Sequence, residues 1–118
     1  ATTSTPLQAL VMMNDPIVLE GSRVLSQKLL EKHDNISSAL NEAFIRILCR
    51  YPDARETSVL DEYFQEELDR YTSTPEEARK FINVGEYPLN EGLDPIRQAA
   101  LMSSIHLLYN LEETITKT

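Results

Sequence analysis

The chain has 118 residues, 42% of them apolar and 25% charged, the proportions of one globular domain rather than of a disordered segment. Its 19 acidic and 11 basic residues leave a net charge of −8, which repels phosphate backbones and argues against nucleic acid as a partner. No apolar run approaches the ~20 residues of a membrane span, and the single cysteine, Cys49, excludes an internal disulfide, a CxxCH haem attachment and a cysteine-rich zinc site.

Proline placement divides the chain into predicted helices. Thr5-Pro6 opens the first, over 6–13, with a capping residue before a proline at the first helical position; Gln8 completes a capping box. Asp15-Pro16 opens the second, over 16–32, after Asn14 in a tight turn. His33 follows Glu31 and Lys32 at its end, where the helix dipole favours a cation. Asn35 caps a third helix over 36–50, whose stripe Ile36, Ala39, Leu40, Ala43, Phe44, Ile47 and Leu48 holds the helical period without a break. Ile45 and Cys49 share the opposite face. Cys49 reads there as a small buried hydrophobe, which implies that this helix is covered on a second side; a neighbouring domain of the intact protein is one candidate for that cover.

Asp53 caps a fourth helix over 54–72, with Leu60, Tyr63, Phe64, Leu68 and Tyr71 turned inward. Between Asp53 and Glu77 nine acids stand against Arg55 and Arg70, and Glu62, Glu66 and Asp69 share one face. Without a D-x-D-x-D-G loop this is a solvated face rather than a calcium site, and without a Glu-x-x-His there is no di-iron bundle. Thr74-Pro75 with Glu77 predicts a second capping box and a helix over 75–84. The pairs Glu42/Arg46, Glu66/Arg70 and Glu76/Lys80 fall at i, i+4 with the acid first. Gly85 to Leu93, with two glycines and a proline, predicts an ordered surface loop. Asp94-Pro95 opens the last helix, over 95–112. There Ile96, Ala99, Ala100, Leu101, Met102, Ile105, Leu107, Leu108, Tyr109 and Leu111 cover most of the circumference. The expected fold is all-α: one compact, bundle-like domain of about six helices over 1–118, with a nearly all-apolar last helix at its centre.

No residue is assigned a catalytic, cofactor-binding or metal-binding role. The candidates for catalysis are Ser103, His106 and Asn110, at i, i+3 and i+7 on the last helix, which supply a hydroxyl, an imidazole and an orienting amide. Neighbours on one helix rarely align a nucleophile with its base, and no GxSxG turn or oxyanion loop is present. The alternative is that this is the helix's one solvent-facing strip, or a histidine bonded to a nearby loop.

Three groups of residues then resemble one family. Thr3-Ser4-Thr5-Pro6-Leu7-Gln8-Ala9-Leu10 leading to Asn14-Asp15-Pro16 is similar to its TxTPLQAL…NDP signature. Arg46-Ile47-Leu48-Cys49-Arg50-Tyr51-Pro52 resembles its R-x-L-x-R-x-P helix end. Val84-Gly85-Glu86, Leu93-Asp94-Pro95 and Asn110-Leu111-Glu112-Glu113 resemble its closing VGE…LDP…NLDE. The family is the planctomycete-type domain of unknown function, number 1553, and the resemblance spans almost the whole chain. It implies the C-terminal end of a larger exported protein, in the periplasm or cell envelope, sometimes alongside a cytochrome-c-like segment; the opening Ala1-Thr2-Thr3 reads as an excised start. Cys49 departs from the family's small residue, and a free thiol in an oxidising compartment is tolerable only if buried. No catalytic residue and no cofactor follows from the resemblance.

Two functions remain open at this stage. One is a non-catalytic helical accessory module that packs on other domains of the same polypeptide through the face of Ile45 and Cys49, with no nucleic-acid partner and no membrane insertion. The other is a contributor to a composite enzyme site, acting on an extracytoplasmic substrate such as polysaccharide through the 85–93 loop or the His106 strip.

Overall fold

A computed structural model describes residues 16–85 and 88–117, with side chains as far as Leu111. The expected helix over 6–13, Asn14 and the Asp15 cap lie outside the described residues. Five helices and no strand are found among the described residues: α1 (Pro16–Lys32), α2 (Ile36–Leu48), α3 (Ala54–Ser73), α4 (Pro75–Ile82) and α5 (Pro95–Lys117). The chain is all-α, as its caps and periodicities imply.

The caps explain most boundaries. Asn35 accepts the Ser37 N–H at 2.7 Å and starts α2. Asp53 accepts the Glu56 N–H at 2.8 Å while the Glu56 carboxylate accepts the Asp53 N–H at 3.0 Å, a complete capping box that starts α3. Asp94 accepts the Ile96 N–H at 3.0 Å at the start of α5. Thr74 departs from expectation. Its hydroxyl makes no cap bond to α4 but donates back to the Arg70 carbonyl at 3.0 Å, because the residue ends α3 as well as preceding α4. With Pro75 filling the first position of α4, one amide fewer needs a cap.

Helix α2 stops at Leu48, short of the expected residue 50. Cys49 adopts the left-handed conformation (φ 59°), and its N–H bonds the Ile45 carbonyl at 2.9 Å. Pro52 lies three residues on and disfavours helical geometry at Tyr51. Helix α4 ends two residues early, at Ile82, and α5 runs five residues further than expected, to Lys117.

α5 touches each of the other four helices, so it is the central element. One of its faces joins Leu29, Ala39, Leu40, Ala43, Phe44, Leu60 and Phe64 through Ala100, Leu101, Ile105 and Leu108. The other joins Tyr71, Ala78 and Ile82 through Ala99 and Met102. The helix is less apolar in its buried parts than expected: Gln98, Ser103, Ser104 and His106 are buried with the hydrophobes. Small alanines at 99 and 100, both fully buried, let the neighbours approach closely. Two of the predicted i, i+4 pairs are replaced by i, i+3 pairs: Arg70 pairs with Glu67 at 2.8 Å rather than with Glu66, and Glu76 with Arg79 at 3.3 Å rather than with Lys80. Glu42–Arg46 forms as expected, at 2.7 Å.

Candidate functional site

The Ser103/His106/Asn110 strip is not a solvent-facing strip. Ser103 is 5% exposed and His106 2%. The His106 ring meets Phe81 of α4 edge-on, centroids 5.4 Å apart, and Phe81 stacks on Tyr71 of α3 at 6.0 Å. Neither His106 ring nitrogen has a hydrogen-bond partner among the described residues. Burial alone pushes its pKa down to about 4, so the imidazole is neutral at pH 7. Ser103 is hydrogen-bonded to Glu67, whose carboxyl is held below its usual pKa chiefly by the Arg70 hydrogen bond and, to a lesser degree, by Ser103. Asn110 is half-buried with an interaction of its own. Thus, among the described residues, the serine engages a carboxylate and the histidine engages nothing polar. A nucleophile–base bond between them, the requirement for nucleophilic catalysis, is not formed.

The 85–93 loop is held by α1 through groups the periodicity concealed. Arg23, 2% exposed, donates from Nε to the Val84 carbonyl at 2.8 Å and from Nη1 to Gln27 Oε1 at 3.1 Å. Gln27 Nε2 donates to the Pro88 carbonyl at 3.2 Å, and Gln27 Oε1 accepts the Asn90 N–H at 3.4 Å. Asn90 Nδ2 reaches Glu31 at 2.7 Å while its Oδ1 accepts the Gly92 N–H at 2.9 Å. Gly85 has φ 77°, and the Glu20 side chain lies where a Cβ would stand, so both conformation and space call for glycine. Ser22, Ser26 and Gln98 continue this polar seam between α1 and α5. The signal was present as Ser22-Arg23 and Ser26-Gln27, a polar stripe one helical turn apart in the middle of a helix. A surface cavity of about 390 Å³ lies beside the loop, lined by Arg79, Asn83, Asn90 and Glu91 among others.

His33 does more than complement a dipole. Its Nε2 lies 2.6 Å from Glu42, which Lys32 (2.9 Å) and Arg46 (2.7 Å) also approach. The His33 and Lys32 hydrogen bonds, offset by partial desolvation, lower the Glu42 pKa to about 2. This cluster ties the end of α1 to α2. Cys49 is an exposed free thiol, not a buried hydrophobe, because the left-handed turn carries it beyond the helix. Ile45 beside it is half-buried. Glu62, Glu66 and Asp69 are exposed on α3, and no group of three or more His, Cys, Asp or Glu converges on a metal position among the described residues.

A second concavity is apolar. Phe44 of α2, Val59 and Leu60 of α3, and Leu107, Leu108 and Leu111 of α5 line a groove of about 200 Å³, with Arg55 and Glu56 at its rim. Val59 is 51% exposed and Leu111 44%. Two of the groove residues also meet Arg50, whose guanidinium lies 5.1 Å from the Phe44 ring centroid and grips Glu56 at 2.8 and 2.6 Å. That grip, with the Asp53 N–H, draws the Glu56 pKa down to about 2. The sequence stripe placed Phe44 and Leu60 inward but gave no sign that α3 and α5 part along this line.

These features belong to a helical domain with one buried imidazole, a clamped loop and an open apolar groove. Residues 1–64 match the family described as "Protein of unknown function (DUF1553)", and the chain belongs to that family. The match takes in the TPLQAL…NDP segment and the Arg46–Pro52 helix end, whereas the Val84, Leu93 and Asn110 segments lie beyond it. No curated protein and no solved structure matches the chain.

Proposed function

We propose that this chain is a non-catalytic helical accessory module that packs against other parts of a larger extracytoplasmic protein. The observation that carries the reading is the groove between α2, α3 and α5, whose walls expose Val59 and Leu111 although these side chains are suited to burial. The face of Ile45 and Cys49 is a second contact in this proposal. An exposed thiol suits an oxidising compartment only when something covers it, so the envelope location and a covered Cys49 stand or fall together. A net charge of −8 favours protein over nucleic acid as partner. The composite-site alternative draws on the cavity beside the 85–93 loop, but the Asn90 side chain there is already bonded at both ends.

Hydroxyl-radical footprinting tests the proposal. Val59, Leu111 and Cys49 should react in the chain alone and be protected in the natural full-length polypeptide. Equal reactivity in both would rule out packing through these faces.

A further inference from the structure

The charge around the apolar groove selects its occupant. Along α3, Val59 is followed at i+3 and i+7 by Glu62 and Glu66, which therefore continue the stripe on which Val59 stands. Both are exposed, and neither forms an ion pair among the described residues; two nearby cations are engaged elsewhere, Arg70 of α3 with Glu67 and Arg50 of the α2–α3 turn with Glu56. Arg55 is the one cation on this rim without an ion-pair partner among the described residues, and it stands at the opposite end, one turn before Val59. The groove is thus an apolar slot with a positive end at Arg55 and an acidic row running away from it.

Resting on the docking reading above, the geometry points to a basic amphipathic helix from another part of the larger polypeptide as the occupant of this groove. Its apolar stripe would seat between Val59 and Leu111 over Phe44 and Leu60, the way a helix lies in a groove with anchors at i, i+3, i+4 and i+7. Its lysines or arginines would meet Glu62 and Glu66, and an acidic residue would meet Arg55, fixing the direction in which it lies. A second copy of this chain is a poor occupant, because it brings another −8 charge to the same surface. An anionic lipid surface is opposed for the same reason. Charge of this kind sets the choice of partner and the association rate, while the apolar anchors supply most of the affinity.

The test uses three labelled synthetic peptides of about 15 residues, long enough to hold a helical turn pattern. One carries leucines at the i, i+3, i+4, i+7 positions with lysines elsewhere, one is its scrambled isomer, and one has glutamates for the lysines. Fluorescence anisotropy should give a micromolar Kd for the basic amphipathic peptide and binding at least about tenfold weaker for the scrambled one. Val59→Ser with Leu111→Ser, both at exposed positions, should weaken the basic peptide by at least about tenfold. Glu62→Gln with Glu66→Gln should weaken it severalfold and remove most of its salt dependence. Equal binding of the scrambled peptide, or binding indifferent to the Val59 and Leu111 changes, overturns the inference. Preference for the glutamate peptide overturns the partner's charge while leaving a docking groove. Absence of peptide binding overturns the inference, and if the chain then dimerises through Val59 and Leu111, the occupant is a second copy. Protection of Val59 and Leu111 in the footprinting experiment decides the docking reading independently of every one of these outcomes.

Discussion

His106 places two ring nitrogens that have no hydrogen-bond partner among the described residues in the interior between α5 and α4. A buried polar group without a partner forfeits its hydration for nothing, at a cost of about 1–3 kcal/mol. His106→Leu keeps the side chain roughly the same size and removes both nitrogens, so it should raise stability at neutral pH by about that amount. The pH dependence has a definite sign. The folded chain keeps the imidazole neutral down to about pH 4, whereas the unfolded chain protonates it near 6.5. Stability is therefore complete above 6.5 and falls as the pH drops towards 4, because the unfolded state binds the extra proton. Urea unfolding across that interval should show a decline that is flattened in His106→Leu. An unchanged slope would place the acid sensitivity elsewhere. Glu42 and Glu56 act lower: their folded pKa values of about 2 keep a contribution that is lost only as the pH falls from 4.5 towards 2.

At the scale of elements, the helix ends separate residues that look alike in sequence. Asp53 and Thr74 both precede helices and both have an acid three residues on, yet only Asp53 closes a capping box. Asp53→Ala should cost about 1 kcal/mol, and Thr74→Ala should cost α4 much less, since no cap bond is lost there. Chemical denaturation of the two variants checks the order. At the end of α2, Cys49→Gly removes a side chain from a left-handed residue and should stabilise by about 1 kcal/mol; a lower melting temperature would mean that the Cys49 side chain contributes more than its backbone strain. Most of the helical order was legible because Pro16, Asn35, Asp53, Pro75 and Pro95 announce their helices locally. The end of α2 was not, because a left-handed residue other than glycine leaves no mark in composition. The Arg23 and Gln27 clamp was hidden for a related reason. Its carbonyl partners at Val84 and Pro88 lie 61 residues away, and a helical period cannot show which polar stripe a distant loop will cover. The groove was equally illegible, since exposure of Val59 and Leu111 depends on where α3 and α5 part.

For the molecule as a whole, α5 joins two hydrophobic clusters on different faces. Leu101, fully buried, lies in the larger one with α1, α2 and α3, and Met102, also fully buried, lies in the smaller one with α4 and the end of α3. Neither cluster keeps its shape without α5, so loss of one should remove the support of the other and unfolding should be a single transition. Leu101→Ala and Met102→Ala each leave a cavity in a packed interior, at about 2–5 kcal/mol. Against a total of about 5–15 kcal/mol for a domain of this kind, either change is a large share. Each should lower one common melting transition, read identically by far-ultraviolet circular dichroism for all helices and by the fluorescence of Tyr71 in the smaller cluster, with the other four tyrosines changed to phenylalanine. If Met102→Ala instead splits the transition, with tyrosine fluorescence changing before the helical signal, the α4 side unfolds as a separate unit. In that case α5 would be the edge of two domains rather than the centre of one.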